Sequence, residues 1–230
     1  MWIAISQRND KNKHGLWIDN LENNYIDFFE PFGAKLLTIP NVSKNIKSYF
    51  DEYEIFGVVL SGGNDVNPKL YGEKTEKNLS ISVNRDETEN KLIKIALDKK
   101  LPIFGICKGM QHLNVYFKGK LIRDLGKEIK KGITHVKEDH VAEIIDERAK
   151  KIFGKEMKVN SYHNQGIISS TLSKDLIPFA VAPDGVIEGF YHKSLPIAGV
   201  QWHPERNSPN REIDSKIVKM FLNKKFFWEK

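Results

Sequence analysis

Residues 102–111 read Pro-Ile-Phe-Gly-Ile-Cys-Lys-Gly-Met-Gln, an apolar run that ends in a cysteine flanked by glycines. A short continuous apolar run is typical of a strand that is buried on both faces of a parallel sheet. Met110, Leu113 and Phe117 follow at the spacing of one helix face. The pattern therefore predicts a strand over 102–106 that turns directly into a helix, which is the repeating unit of parallel α/β sheets.

Upstream of this run, short apolar segments alternate with amphipathic ones. The predicted strands are 2–6, 35–39 and 57–60, and the predicted helices are 21–32 and 86–99. Asp86 and Glu89 stand three residues apart, which predicts a capping box at the start of the second helix. Strands that alternate with helices predict right-handed crossovers and a parallel sheet.

The second half of the chain has a different pattern. Three short apolar segments, 179–182, 185–191 and 196–200, follow one another closely and are separated by turn residues, and a helix is predicted near 211–222. We therefore expect an α/β fold with a mostly parallel central sheet flanked by helices and a short antiparallel extension in the second half. We expect a single domain over residues 1–230.

Composition excludes several classes of protein. Of the 230 residues, 40% are hydrophobic and 29% are charged, which is ordinary for a globular chain. The net charge is +6, but the lysines are scattered, so no nucleic-acid polymer is expected as a partner. One cysteine excludes an internal disulfide, and no signal sequence or membrane-spanning run is found. These features predict a cytoplasmic protein with no membrane partner.

Cys107 is the first candidate for chemistry. Gly105 and Gly109 permit a sharp turn that presents the cysteine at the carboxyl end of its strand, in the form of a nucleophile elbow. The thiol also lies at a helix amino terminus, whose partial positive charge favours the thiolate over a thiol with a reference pKa of about 8.5. The alternative is a small buried side chain with no chemical role.

A nucleophilic cysteine requires a base and an oxyanion site. His203 follows the segment 196–200, and Glu205 could orient its ring. The alternative is a turn histidine beside a solvated glutamate. For the oxyanion, the amide of Lys108 is the expected first donor, and the Gly62-Gly63 pair could supply a second, unless it is only a turn that ends a strand.

Six segments occur in a fixed order along the chain. They are Ser-Gly-Gly-Asn-Asp-Val-Asn-Pro at 61–68, Arg-Asp-x-x-Glu at 85–89, Gly-Ile-Cys-Lys-Gly-Met-Gln at 105–111, Val-Asn-Ser-Tyr-His-Asn-Gln at 159–165, Asp-Gly-Val-Ile-Glu at 184–188 and Gly-Val-Gln-Trp-His-Pro-Glu at 199–205. In this order they resemble class I glutamine amidotransferase-like domains, and specifically their γ-glutamyl hydrolase branch. The resemblance covers nearly the whole chain.

The resemblance implies a function for each segment. It implies a catalytic triad of Cys107, His203 and Glu205 that cleaves a γ-glutamyl amide through a glutamyl thioester. It further implies an oxyanion hole formed by the Gly63 and Lys108 amides, and a substrate wall. The wall residues are Gln111, Ser161, Tyr162 and His163. The chain departs from the family in having Lys108 in place of the commoner arginine and Asn164 in place of a frequent second histidine.

The leaving amine is the part of the substrate that the pattern leaves open. Arg8, Lys11, Lys13 and His14 cluster after the first strand, where they form either a cationic rim or a solvated loop. The chain also resembles γ-glutamyl-CDP-amidate hydrolases of capsule phosphoramidate synthesis, which implies a nucleotide-linked amide held by such a rim. The alternatives are a γ-glutamyl-GABA-type hydrolase, a glutaminase subunit that feeds a separate synthetase, and a binding module whose chemistry has lapsed.

Three further residues are candidate ligands. Arg85 could bind a substrate carboxylate, or it could simply meet solvent. His135 and His140 could form a metal pair, but no neighbouring residue in the sequence has convincing ligand spacing. We therefore expect no metal and no organic cofactor.

Overall fold

The computed structural model describes residues 1–75, 79–129 and 132–228. The strands are β1 (Trp2–Ile5), β2 (Arg8–Lys11), β3 (Trp17–Asn20), β4 (Lys35–Thr38), β5 (Ile55–Leu60), β6 (Ile103–Ile106), β7 (His140–Ile144), β8 (Glu156–Val159), β9 (Leu176–Val181), β10 (Ile187–His192) and β11 (Ile197–Val200). The helices are α1 (Asn23–Phe29), α2 (Ile46–Glu52), α3 (Val83–Asp98), α4 (Lys108–Tyr116), α5 (Leu125–Glu128), α6 (Glu147–Phe153) and α7 (Arg211–Asn223).

Nine of these strands form one sheet, in the order β4-β1-β5-β6-β11-β10-β9-β7-β8. The first five strands in this order run parallel to one another. From β11 onward each neighbour is antiparallel. The expected α/β architecture is confirmed, and the antiparallel extension comprises the four strands β10, β9, β7 and β8.

The apolar core lies in two layers, one on each face of the sheet. Along β1, Ile3 and Ile5 enter one layer and Ala4 enters the other, because successive side chains of a strand point to opposite faces. Buried residues of α1, α6 and α7 belong to the first layer, and those of α2, α3 and α4 belong to the second. Helices therefore cover both faces, as a sheet with a parallel half requires.

The predicted capping box of α3 is wrong. The helix begins at Val83, and Ser82 caps it by accepting a hydrogen bond from the Arg85 amide at 3.2 Å. Asp86 and Glu89 instead turn inward and form buried ion pairs. A serine is as good a cap as an aspartate, so the carboxylates are free for that other role.

The basic segment after the first strand is not an open loop. Residues 8–11 pair with residues 17–20 as a two-stranded antiparallel hairpin, β2–β3, outside the main sheet. Among the described helices, none has the length and apolarity needed to cross a bilayer.

Candidate active site

Three loops meet at the carboxyl edge of the parallel half. Cys107 directly follows β6, Gly62 and Gly63 follow β5, and His203 lies just beyond β11. The strands β5, β6 and β11 are adjacent and parallel, so their carboxyl ends lie side by side. In open α/β sheets this edge is where ligands bind.

The turn at Cys107 has an unusual backbone. Cys107 itself has φ 51° and ψ −105°, a conformation that favours glycine, whereas Gly105 and Gly109 have ordinary φ values. The two glycines act through close approach instead. A β-carbon at Gly109 would lie 2.1 Å from the carbonyl oxygen of Leu60, and one at Gly105 would lie 2.7 Å from the Gly109 carbonyl carbon. Glycine at both positions therefore lets α4 pack directly on the strands, and the cysteine carries the strain.

His203 and Glu205 form a tight buried pair. His203 Nδ1 lies 2.6 Å from Glu205 Oε1, and both residues are almost fully buried. Burial lowers the pKa of His203, but the negative charges of Cys107 and Glu205 and their hydrogen bonds to the ring outweigh it and raise that pKa from 6.5 to about 10. The imidazole is therefore protonated at neutral pH.

Two residues without a predicted role hold this pair in place. Asn160 fixes the His203 backbone, because its Oδ1 accepts from the His203 amide at 2.8 Å and its Nδ2 donates to the carbonyl at 2.9 Å. The Tyr25 hydroxyl accepts from the Gly62 amide at 2.8 Å, and burial together with the charge of Glu205 raises its pKa well above the usual value. Tyr25 lies on the apolar face of α1, so the sequence pattern gives no signal that its hydroxyl reaches this site.

Of the two expected oxyanion donors, Lys108 directly follows the cysteine and Gly63 follows the neighbouring strand β5. The Gly62 amide is used by Tyr25, whereas the Gly63 and Lys108 amides donate to no other described residue. Gly63 has φ 118°, and a β-carbon there would lie 2.4 Å from Cγ of Arg8. The structure thus favours Gly63 over Gly62 as the second donor, since only the Gly63 amide is still available.

The expected substrate wall is divided between two sides. Tyr162 is exposed and its ring meets His203 edge-on at 5.8 Å between centroids. Ser161 and His163 are buried on the other side of the segment, where the Ser161 hydroxyl donates to the His135 carbonyl at 2.9 Å. Gln111 uses its amide nitrogen to donate to Gln165 O and to the side chain of Gln201, so its oxygen is the group left to meet a ligand.

Neither expectation for Arg85 holds, because its side chain is fully buried. Its guanidinium pairs with Glu89 at 2.9 Å and donates to the Ser61 carbonyl at 2.7 Å and to Asn64 at 3.2 Å. With every nitrogen engaged inside the protein, Arg85 does not contact a substrate. It instead fixes the segment that leads into Gly62 and Gly63.

The Lys108 side chain completes the same buried cluster. Its ammonium lies 2.9 Å from Asp86 Oδ1 and makes a very short contact with Glu89 Oε2. Lys108 was expected to act only through its backbone amide, but its side chain also ties the start of α4 to α3. The cluster of Arg85, Asp86, Glu89 and Lys108 therefore braces both oxyanion loops from behind.

Of the basic residues in the hairpin, Arg8 is the one that reaches the site. Its side chain packs over Gly63, while its Nε pairs with Asp10 at 3.2 Å. Lys11 lies over the ring of Trp17, and Lys13 and His14 are exposed near the turn. On the opposite side, Arg206 pairs with Glu22 at 2.7 Å and lies over Tyr162.

The chain is similar to known proteins over most of its length. A family model for peptidase C26 matches residues 3–205. A glutamine amidotransferase-like protein of Lactococcus lactis, YvdE, is 35% identical over 86% of each chain. The γ-glutamyl-CDP-amidate hydrolase of Campylobacter jejuni is 33% identical over 70% of this chain and 67% of its own. The γ-glutamyl-γ-aminobutyrate hydrolase of Escherichia coli O157:H7 is 31% identical over 72% of this chain and 70% of its own.

A solved structure supports the same fold. A glutamine amidotransferase from Thermotoga maritima superposes with a TM-score of 0.61 at 17% identity, covering 98% of this chain and 86% of that one. The matched family segment contains each of the six sequence segments that suggested the resemblance. The chain belongs to the peptidase C26 family, within the class I glutamine amidotransferase-like proteins.

Proposed function

We propose that the protein hydrolyses the γ-glutamyl amide bond of a small molecule and releases glutamate and an amine. The observation that carries this proposal is the 2.6 Å pair of His203 and Glu205 beside a cysteine held at positive φ. Family membership and the γ-glutamyl hydrolases among the relatives support it.

The proposed mechanism assigns Cys107 as nucleophile, His203 as acid and base, and Glu205 as orienting carboxylate. Cys107 Sγ attacks the side-chain carbonyl carbon, and the amides of Gly63 and Lys108 bind the oxyanion. His203 gives its proton to the departing nitrogen as the C–N bond breaks. Water then attacks the thioester, passes a proton to His203, and the C–S bond breaks to release glutamate and the thiolate.

The test is glutamate release from a panel of γ-glutamyl amides by the full-length protein. Cys107→Ala and His203→Gln should each lower kcat/KM at least about a hundredfold, or roughly 2.7 kcal/mol of transition-state stabilisation. His192→Asn is the matched control, because His192 is a buried histidine outside the site whose Nδ1 acceptor an asparagine can replace. Near-normal turnover in Cys107→Ala would refute the mechanism.

A labelling experiment separates catalysis from mere binding. Cys107 is the single cysteine of the chain, so a glutamine-like diazo ketone should attach once and at that sulfur. Glutamate should protect against it if the thiol lies in a glutamyl site. A module without catalysis would bind glutamate but resist the label.

For the leaving group, we propose a phosphate-bearing, nucleotide-linked amine. Arg8 beside Gly63 and Arg206 beside Tyr162 place two guanidinium groups around the site, and guanidinium suits phosphate. The Campylobacter relative carries the name of such an activity. The partners Asp10 and Glu22 lower the net charge of this rim, so the proposal depends on the two arginines rather than on the whole hairpin.

Comparing kcat/KM for γ-glutamyl-CDP-amidate, γ-glutamyl-GABA and glutamine decides between the candidates. A preference for the nucleotide-linked amide that falls in Arg8→Gln supports the proposal. Equal or better turnover of γ-glutamyl-GABA would assign the protein to the other hydrolase type. A preference for glutamine would indicate a glutaminase subunit.

A further inference from the structure

Three histidines and a glutamate meet behind the substrate wall, outside the proposed catalytic groups. Glu188 Oε1 lies 3.1 Å from His140 Nε2, 3.6 Å from His135 Nδ1 and 3.9 Å from His163 Nε2. The ligand atoms of His135, His140 and Glu188 lie within 4.8 Å of one another. In a tetrahedral Zn²⁺ site with bonds near 2.0–2.1 Å, neighbouring donors lie about 3.3 Å apart, and the three distances from Glu188 to the histidines bracket that value.

Hydrogen bonds fix which nitrogen faces the glutamate for His163 and His135. His163 Nδ1 donates to the carbonyl of Gln165 at 2.8 Å, which leaves a lone pair on Nε2. That Nε2 is buried and has no partner among the described residues. His135 Nε2 lies 3.0 Å from Asp184 Oδ2, so its Nδ1 lone pair also points to the cluster, with the Ser161 hydroxyl at 3.4 Å.

This pattern is the one that metal-bound histidines have. Their second ring nitrogen is held by a carboxylate or a backbone carbonyl, which sets the tautomer and the ring orientation. Asp184 does this for His135, and Gln165 O does it for His163.

Charge balance points the same way. Asp184 and Glu188 are buried carboxylates, and among the described residues the groups that pair with them are these histidines. A divalent cation would neutralise both, and buried carboxylates are normally paired or bound to a metal. The second acid–histidine group, formed by Asp86, Glu89 and His112, differs because the Lys108 ammonium already lies within it.

We propose that His135, His140, His163 and Glu188 bind one divalent transition-metal ion of the Zn²⁺ class, with Asp184 and Gln165 holding the ligands. Four protein ligands and burial indicate a structural ion. His135 and His140 have no further ligands near them in the sequence, and the fold supplies these from residue 163 and from β10.

The ion would join three separate segments at the back of the substrate wall. The His163 amide donates to the His135 carbonyl at 2.9 Å, and the Lys137 amide donates to the Ser161 carbonyl at 2.8 Å, so the two loops already pair. Glu188 comes from β10, whose backbone accepts the Gln201 amide at 2.8 Å. Binding would therefore fix the segment that carries Tyr162 without contacting the nucleophile.

Co²⁺ titration of the full-length, chelator-treated protein tests this inference without relying on turnover. We expect one equivalent to bind with the strong visible absorption of four-coordinate Co²⁺, and Zn²⁺ to displace it one for one. Cys107→Ala should bind equally well, because the proposed site holds no sulfur. A spectrum that disappears in Cys107→Ala would place the metal on the catalytic pair and overturn the proposal, as would no binding at all.

Variants locate the ion. His140→Gln and Glu188→Gln should abolish stoichiometric binding, and Asp184→Asn should weaken it about 10–100-fold as an outer partner. His192→Asn is again the matched control and should bind normally. Should Glu188→Gln fail to fold, His140→Gln still decides, since His140 lies at the partly exposed margin of the cluster. Normal binding by His140→Gln would contradict the assignment, whatever the activity of the protein.

Discussion

The proton on His203 is the property of a single residue that most affects the chemistry. The His203 ring is buried beside Cys107 and Glu205, which raise its pKa to about 10. The ring therefore stays protonated up to about that pH. In the proposed mechanism, the ring then already carries the proton that the leaving amine needs.

NMR titration of the His203 ring should show its deprotonation midpoint near pH 10 in the wild type. In Cys107→Ala the midpoint should fall, because the sulfur that favours the charged ring is removed while burial remains. Because folding raises the His203 pKa from 6.5, protonation of the ring contributes its full stabilisation of the folded state below pH 6.5. That contribution is lost as the pH rises through about 10. An unchanged midpoint in Cys107→Ala would show that the two groups do not interact.

Residues that act through local sequence were accessible to prediction, and those that act across the fold were not. Cys107 stands between glycines after an apolar run, and Glu205 is two positions from His203, so local spacing was enough. Tyr25 and Arg85 act on Gly62 and Ser61 across 37 and 24 positions of the chain. Nothing in their own neighbourhoods shows these contacts, because the contacts exist only after α1 and α3 have packed on the sheet.

At the scale of elements, the packing of α3 against α4 depends on charge in an otherwise apolar layer. Lys108 at the start of α4 lies between Asp86 and Glu89 of α3. Burial raises the pKa of Glu89, but Lys108 and Arg85 outweigh it and lower that pKa to about 2. Such a cluster is costly to disrupt, since removal of one partner leaves a buried charge unpaired.

Lys108→Met should lower the free energy of unfolding by about 3–5 kcal/mol at neutral pH. Because the pKa of Glu89 is depressed from 4.5, its ionised form stabilises the fold above that value, and the contribution is lost as pH falls through about 2. The deficit of the variant should therefore shrink with acidification. Denaturant unfolding across this pH range measures it.

Lys94→Met is the matched control for that experiment. Lys94 is also paired with an aspartate on α3, at 2.9 Å, but both side chains are exposed. An exposed pair contributes little, so its loss should leave stability almost unchanged. Equal effects of the two substitutions would show that the buried cluster is not what stabilises this interface.

Elements with strong patterns were predicted well, and those with weak patterns were missed. The five parallel strands and α1, α3 and α7 correspond to predicted segments, because apolar runs and helical spacing define them. The hairpin β2–β3 was not predicted, since Arg-Asn-Asp-Lys at 8–11 has little strand propensity. It forms through backbone pairing and through contacts such as the Asn9 amide to Asn64 at 3.0 Å.

For the whole molecule, the two halves of the sheet carry the two proposed sites. The parallel half carries Cys107, His203 and Gly63 at one edge, and the antiparallel half carries His140 and Glu188. β11 is the boundary, since it is parallel to β6 and antiparallel to β10. The sequence indicated a parallel half and an antiparallel half. It did not indicate the order of the strands in the sheet, because that order depends on how the connections cross between strands and not on any single segment.

Residues 226–228, which follow α7, cover the core at the end of β11 that lies away from His203. Trp228 stacks on Tyr191 at 4.8 Å, and its indole N–H donates to the Leu195 carbonyl at 3.3 Å. Trp228→Ala should lower the free energy of unfolding by about 3–5 kcal/mol. KM should be unchanged, because Leu195 precedes β11 and His203 follows it.

Thermal or denaturant unfolding, together with KM for a γ-glutamyl amide, checks this expectation. Trp17→Ala is the matched control, because the Trp17 side chain on the hairpin is 48% exposed. It should cost little stability. A large loss of stability in Trp17→Ala, or a raised KM in Trp228→Ala, would contradict the expectation that Trp228 stabilises the fold without affecting the site.

The positive φ at Cys107 brings the stability of the fold and the chemistry of the site into conflict at a single residue. A β-carbon residue in that conformation costs on the order of 1–3 kcal/mol, which glycine would not incur. Glycine at position 107 would therefore make the fold more stable, but it would remove the sulfur. The strain thus belongs with the role of Cys107 as the proposed nucleophile.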